Sequence, residues 1–172
     1  MPLFRRSQSQ ETIDVRYTLL EKVDAIGFLR TRGIATVAFT LRNRATAEPA
    51  YYALDPDFSE WLYLRPMPGS VIGKAMSNPW VAITVREEQS ATQWTNVVVY
   101  GRLYTLTTHG ADAAPKPHAR GVDLLRAVAP DLPAGAAAMH EVLFRMSVDN
   151  VTGRACSAVT TRRTTTPPSG AA

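Results

Sequence analysis

The residues best suited to chemistry lie within 66–85, PMPGSVIGKAMSNPWVAITV, where a glycine turn, a serine and a lysine precede an apolar run. A phosphate-binding loop of the nucleoside triphosphatase type needs a glycine, four further residues, and then Gly-Lys followed by serine or threonine. Gly73 and Lys74 meet that pattern, but Pro68 takes the position of the first glycine and Ala75 that of the hydroxyl residue. The stretch is therefore not such a loop, and its clustered donors need another explanation.

The same residues contain the parts of a metal-free site for a monophosphate. Ser70 predicts the cap of a short helix over 71–77, which must end before Pro79 because the residue preceding a proline avoids helical angles. The N-terminus of a helix attracts anions through its unpaired N–H groups. Lys74 adds a cation, and Arg65 at the end of the preceding strand adds a planar fork of donors. The alternative is a capped surface helix with a solvated lysine.

The elements that must position these donors are mostly strands. Short apolar runs rich in β-branched and aromatic residues predict strands, and the DPDFSE segment at 55–60 is typical of a turn. Between Val15 and Arg30, apolar residues recur at steps near three and four, which predicts a helix buried on one face. Residues 43–50 are expected to form a loop. The predicted strands cover 33–42, 51–54, 61–65, 80–87, 94–108 and 143–148, with further helices near 119–129 and 134–141.

The order of these elements indicates the fold class. Strands and helices do not alternate regularly, which excludes a doubly wound parallel sheet. A small antiparallel sheet most simply avoids exposed edges by closing into a barrel. We therefore predict a mainly β protein, a six-stranded antiparallel split β-barrel with short flanking helices. The barrel domain is expected over 13–160, between flexible tails at 1–12 and 161–172.

Charge and composition narrow the classes of partner. The formal net charge is +4, but without the four arginines of the two ends 15 basic residues face 15 acidic ones. A phosphate-tracking surface would concentrate its basic residues on the folded face, so nucleic-acid binding is not expected. The sequence has no apolar run long enough to span a membrane and no secretory signal, so no membrane association and a cytoplasmic location are expected. A single cysteine excludes an internal disulfide.

The series of motifs resembles one known family. The order is LYLR, a Gly-Ser turn, GKAMSNPWVAI and then WTNVVVYGRLYTL. This order is similar to the FMN-binding split-barrel family, the pyridoxamine-phosphate-oxidase-like flavoproteins. The resemblance covers roughly residues 18–108, with a weaker echo in FRMSVDNVTG. Its specific parts are Lys74 with Asn78-Pro79 and the strand from Val97 to Gly101.

The resemblance implies a function and a site. It implies an FMN-binding oxidoreductase that is a homodimer, with FMN in a groove between subunits and a small-molecule substrate. The family's phosphate ligands correspond to Arg65, Ser70 and Lys74. Asn96 takes the place of a polar residue that reaches the flavin, and Trp94 either walls the groove or is a partly buried aromatic at the barrel mouth. The strand expected to lie with its backbone against the flavin ring comprises Tyr51, Tyr52, Ala53 and Leu54.

Two departures from the family pattern bear on the substrate. True pyridoxamine-phosphate oxidases carry an arginine and a lysine on the second strand, whereas this strand is EPAYYAL. Their arginine-bearing C-terminal substrate segment is not recognisable in VTGRACSAVTTRR. Vitamin B6 is therefore not the expected substrate, and the pattern is closer to branches that include the nitroimidazole-resistance-like proteins.

Other functions stay open at this point. Branches of the same family bind the deazaflavin F420 or haem, so the alternative is a module that binds, stores or senses such a cofactor. His140 is the best candidate for a haem ligand. His109, His118 and His140 are not spaced as a metal set, so no metal site is predicted and each is expected in a loop or on a helix surface. A barrel without a cofactor, serving as an interaction domain, is a third possibility. No residue is assigned a catalytic acid or base role.

Overall fold

The computed structural model describes residues 10–72, 78–110 and 113–163. Its elements are β1 (Gln10–Leu19), α1 (Lys22–Arg30), β2 (Ile34–Leu41), β3 (Arg44–Leu54), β4 (Trp61–Pro66), β5 (Trp80–Ser90), β6 (Gln93–Leu106), α2 (Pro115–Leu125), a 3₁₀ helix (Gly135–His140), β7 (Leu143–Ser147) and β8 (Asn150–Arg163).

Six of the strands close into a ring. The sheet order is β1-β8-β6-β5-β2-β3-β4-β7, and a further pairing joins β6 to β7. All neighbouring strands are antiparallel. The ring therefore runs β6-β5-β2-β3-β4-β7 and back to β6, which confirms the predicted six-stranded barrel. β1 and β8 extend the sheet beyond the ring from one side of β6.

The barrel interior follows from the two-residue period of its strands. Alternate residues of β2, β3, β5 and β6 point inward and form one apolar core, so the residues between them face outward. The largest of the fully buried core side chains are Val37, Tyr52, Leu62, Leu64, Ile83, Val85 and Met146, with Leu29 of α1 among them. The Tyr52 hydroxyl donates to the Leu29 carbonyl oxygen at 2.8 Å, which ties α1 to the barrel.

The N-terminal helix predicted from Val15 is wrong over its first half. Residues 10–19 form β1, which pairs along its whole length with β8, and α1 begins only at Lys22. Leu19 and Val23, expected on the buried face, are 75% exposed. The long pairing partner, which the sequence analysis did not identify as a strand, overrides the local helical spacing. The division into tails and barrel domain stays a prediction.

The loop predicted over 43–50 is also wrong, because β2 and β3 form a tight hairpin. Leu41 pairs with Arg44, and the two residues between them have positive φ angles, 48° at Arg42 and 62° at Asn43. Positive φ at both central residues is the signature of a type I′ turn, whose twist matches that of its strands. β3 therefore begins at Arg44 and includes Glu48, which proves central to the candidate site.

The Ala- and Pro-rich segment forms a layer on the outside of the barrel. The predicted helices at 119–129 and 134–141 are found as α2 and the 3₁₀ helix, at shifted bounds. They pack with Tyr63 and Leu143 in a second apolar cluster over β3, β4 and β7. His118 of α2 is fully buried there rather than on a helix surface, and its Nε2 lies 2.8 Å from the Glu141 carbonyl oxygen. Within the described ranges, none of the helices has the length and apolar character that crossing a membrane requires.

Candidate functional site

The turn after β4 is the part of the predicted phosphate site that the structure describes. Ser70 N donates to the Met67 carbonyl oxygen at 3.1 Å, and Gly69 has a φ of +85°. Proline at the second position and a positive-φ glycine at the third are typical of a type II turn. Ser70 Oγ then accepts a bond from Ile72 N at 3.0 Å, as a cap does. Lys74 and most of the predicted 71–77 helix lie outside the described residues.

A carboxylate of the chain itself occupies the donors of this turn. Glu48 Oε2 accepts a hydrogen bond from Ser70 Oγ and another from Val71 N at 3.1 Å. The second oxygen, Oε1, lies 3.4 Å from the same N–H. A hydroxyl and a backbone N–H converging on one carboxylate form a small anion cradle. We use the term Ser70–Val71 cradle for these two donors.

Arg65 is likewise held by carboxylates. It is 7% exposed on the outer side of β4, where Nη1 lies 2.6 Å from Asp131 Oδ1 and Nε lies 3.2 Å from Glu141 Oε2. Burial alone would lower the pKa of Arg65, but the bond and charge of Asp131 together with Glu141 outweigh it and raise that pKa. The bond from Arg65 lowers the pKa of Asp131 in turn. Residues 131–141 therefore cover the predicted phosphate ligand.

A cleft joins these two groups of contacts. It has a volume of about 300 Å³ and lies between the turn after β4 and the strands β6 and β7. Ser70 lines one side of it, and Glu141, which contacts Arg65, lines another. The rest of the wall is mostly apolar and includes Met67, Ile72 and Phe144. Among the described residues that line the cleft, the polar side chains are the Ser70 and Thr105 hydroxyls and the Glu141 carboxylate.

A second feature is a row of outward-facing residues across four strands. Tyr51 of β3 pairs with Ile34 of β2, and Arg86 of β5 pairs with Asn96 of β6. Thr36 of β2 pairs with Thr84 of β5, and this register, continued by two residues, sets Ile34 opposite Arg86. The four strands place these residues roughly 14 Å apart from end to end. We call Tyr51, Ile34, Arg86 and Asn96 the outer row.

The predicted ring-facing strand contributes to both sides of the sheet. Tyr52 and Leu54 point into the barrel core, whereas Tyr51 and Ala53 face outward against the second apolar cluster. The backbone of residues 51–54 pairs with β4 on one side, and Tyr51 also pairs with β2. Of the four residues 51–54, Tyr51 is therefore the one whose side chain belongs to the outer row.

Trp94 lies beside the outer row, two residues from Asn96 on β6. Its ring is 5.2 Å from the Arg86 guanidinium and 6.3 Å from the Tyr17 ring of β1. It also lines a cleft of about 180 Å³ together with Cys156. Trp94 and Asn96 are both half-buried. The structure therefore brings Tyr51, Asn96 and Trp94 to one outer face, where Arg65 is the β4 partner of Tyr51. Ser70 instead lines the 300 Å³ cleft.

The sequence analysis missed the acidic partners of the site. The sequence analysis places Glu48 in a loop, but Glu48 shares the two-residue period of the buried Ala50 and Tyr52. A strand that begins at residue 44 would, by that period, direct Glu48 toward the end of the barrel. Asp131 and Glu141 carry no comparable signal, because they lie in irregular segments brought to Arg65 by the packing of α2. The proposed haem ligand His140 is exposed, with its ring 5.7 Å from that of His109.

Comparison with known proteins adds to this geometry. The family described as pyridoxamine 5′-phosphate oxidase matches residues 21–155. A search of curated proteins gives no match.

Several solved structures share the fold. A FAD-binding protein from Mesorhizobium loti is 24% identical, with a TM-score of 0.63 over 84% of this chain and 99% of that one. A FAD-binding protein from Mycobacterium smegmatis is 16% identical, with a TM-score of 0.52 over 81% and 98% of the two chains. A candidate 5-nitroimidazole antibiotic resistance protein from Bacteroides thetaiotaomicron is 14% identical, with a TM-score of 0.60 over 92% and 99%. These likenesses show the split-barrel fold.

Proposed function

Because the chain belongs to the pyridoxamine 5′-phosphate oxidase family, we propose that it is a flavin-binding oxidoreductase that uses FMN. Its substrate is a small molecule other than vitamin B6, since the EPAYYAL stretch of β3 has neither the arginine nor the lysine expected of B6 oxidases. The names of two structural relatives, described as FAD-binding, support a flavin as the ligand class.

The observation that carries the proposal is the outer row. An exposed apolar residue, Ile34, lies between a phenol, a guanidinium and an amide on the outer face of the sheet. Such a surface suits a planar, partly polar ring, because the apolar centre contacts the ring face while Tyr51 and Asn96 donate to its edge. Arg86, which is paired with Glu88 at 2.8 Å, adds a guanidinium beside that edge. Trp94 walls the row at the β6 side.

Carboxylates of the chain already contact the described residues that are predicted to bind the phosphate. Ser70 donates a hydrogen bond to Glu48, and Arg65 donates hydrogen bonds to Asp131 and Glu141. A phosphate does not fit this arrangement, because three carboxylates already take the described donors. The roles of Arg65, Ser70 and Lys74 as phosphate ligands therefore stay predictions.

When bound, a flavin supplies the hydride and electron chemistry of the reaction. The chain's own contribution is to bind and orient the ring and to exclude water from it. The side chains of the outer row stand on paired strands inside one sheet, so their positions are fixed by the ladder rather than by loops. That placement fits a protein in which the cofactor reacts and the chain positions it.

We propose that the flavin lies between two copies of this chain. Three large apolar residues of the outer face are solvent-exposed in the single chain: Ile34 at 55%, Trp80 at 57% and Tyr100 at 48%. Trp80 and Tyr100 also line an apolar groove of about 360 Å³ between β2, β5 and β6. Exposed apolar surface of this kind, continuous with a ligand-binding face, is typical of protein–protein contact. A second copy would cover it and enclose the ring.

Titration of the full chain with flavins tests the ligand class. Riboflavin, FMN and FAD are added separately while flavin fluorescence is followed, and at least one should bind saturably with a change in its visible absorption bands. Coenzyme F420 and haem are titrated in the same way. Saturable binding of either of these, with no response to the three flavins, would replace the proposal by the cofactor-binding alternative.

A further inference from the structure

The Ser70–Val71 cradle has the chemistry of a phosphate site and is filled by Glu48. Two donors that converge on one oxygen, a hydroxyl and a backbone N–H, bind a phosphate oxygen in the same way as they bind a carboxylate oxygen. Glu48 is half-buried on β3, a strand paired on one side with β2, so its backbone is held in place. The carboxylate is therefore a built-in ligand of the cradle rather than a passing surface contact.

The carboxylates that the structure describes around the neighbouring cleft oppose a second anion. Glu141 lines the cleft together with Ser70, and Asp131 and Glu141 both contact the guanidinium of Arg65. A phosphate entering beside Ser70 would meet the carboxylate of Glu48 at hydrogen-bonding distance from the same donors. Two anions cannot share one pair of donors, and like charges at that distance repel strongly.

We propose that Glu48 is the residue that determines ligand specificity at this turn, by competing with phosphate for the Ser70–Val71 cradle. The proposal rests on the proposed flavin function and refines it. In the wild-type chain, FMN binds mainly through its ring and its phosphate adds little affinity over riboflavin, because the carboxylate must leave the cradle before a phosphate can enter. Glu48 thus acts on specificity by weakening the binding of the phosphate-bearing ligand, and it makes no contact that favours the other ligand.

The first test uses inorganic phosphate and needs no flavin. The full chain and the Glu48→Gln variant are labelled with ¹⁵N, and the amide signals of Val71 and Ile72 are followed during a phosphate titration. We expect saturable shifts in the variant and none in the wild type. Glu60→Gln, which removes an exposed carboxylate next to β4, is the matched control and should behave as the wild type.

A second variant confirms that the cradle is the site. Adding Ser70→Ala to Glu48→Gln removes the hydroxyl donor and should abolish the phosphate response. The amide spectrum of each variant also reports whether it is folded. Because the amide oxygen that Glu48→Gln introduces can still accept bonds in the cradle, Glu48→Ala, which leaves no acceptor there, is titrated as well. Equal responses of the wild type and both variants, or no response of a folded Glu48→Ala protein, would overturn the proposal.

Flavin titrations of the wild type and of Glu48→Gln distinguish a failure of the Glu48 proposal from a failure of the proposed flavin function. Glu48→Gln should lower the Kd for FMN about tenfold or more and leave the Kd for riboflavin unchanged. Flavin binding that is equally strong in both proteins would refute the role of Glu48 while the flavin function stands. If no flavin binds to either protein, the flavin function fails, and the phosphate titration alone decides on Glu48.

Discussion

At the scale of single residues, Asp55 shows how a buried carboxylate joins two layers of the molecule. It is 2% exposed at the end of β3 and accepts backbone bonds from Asp57 N at 3.0 Å and Phe58 N at 3.3 Å. This geometry confirms its predicted role as a turn former. Arg120 of α2 reaches the same carboxylate, with Nη2 2.9 Å from Oδ1 and Nε 3.2 Å from Oδ2. The pair ties the outer layer to the β3–β4 turn.

The same contacts predict how stability depends on pH. The bond from Arg120, with the backbone bonds, lowers the pKa of Asp55 despite its burial. A depressed folded-state pKa stabilises the native protein above the unfolded value of about 3.9, and this stabilisation is lost as the pH falls through the folded value. Asp55→Asn should therefore lower the free energy of unfolding at neutral pH and flatten its fall below about pH 4.

Urea unfolding measured at a series of pH values checks this prediction. The matched control is Asp123→Asn, on the exposed side of α2, which should change stability by less than about 0.5 kcal/mol. If the free energy of unfolding of Asp55→Asn falls as steeply below about pH 4 as that of the wild type, Asp55 does not contribute to the acid sensitivity.

At the scale of elements, β6 is the strand on which the barrel closes. It pairs with β8 as far as Tyr100 and with β7 from Leu103 onward. Gly101 lies at this change of partner, where a Cβ atom would stand 1.7 Å from the Ser147 carbonyl oxygen. A glycine inside a strand usually marks a bulge, a bend or a close approach of the backbone, and here the structure identifies the close approach.

Gly101→Ala should be strongly destabilising for this reason. Backbone that is fixed on both sides cannot retreat from the added methyl, so we expect a loss of about 3 kcal/mol or more in the free energy of unfolding. Gly27→Ala is the control, because its Cβ would meet no atom within 4 Å and it lies inside α1. The control should gain up to about 1 kcal/mol from helix propensity. Similar unfolding midpoints for both variants would contradict the close approach.

The strands also show which parts of the fold local sequence patterns can predict. Alternating or apolar runs bounded by turn residues predicted six strands, because packing inside the barrel follows the local two-residue period. β1 was not predicted, because its residues 15–19 also fit a helical spacing and only pairing with β8 decides between the two. The same reason applies to the site: the outer row needs the register of four strands, and the contacts of Arg65 need the position of α2.

At the scale of the whole molecule, the exposed apolar residues of the outer face predict association. Ile34→Glu places a charge in the centre of that face, where burial between two copies would desolvate it. We expect sedimentation equilibrium to show a dimer for the wild type and a monomer for Ile34→Glu. Val23→Glu is the control, because Val23 is exposed on α1 outside the outer row, and it should remain dimeric. A monomeric wild type would contradict the proposed interface.

Native mass spectrometry of the purified chain, incubated with riboflavin and FMN, tests the central claim most directly, because one measurement reports both ligand and assembly. We expect a homodimer that carries one flavin for each chain, and we expect the flavin to be lost when Ile34→Glu separates the copies. A wild-type chain that remains without flavin at saturating concentrations, in whatever state of assembly, would contradict it.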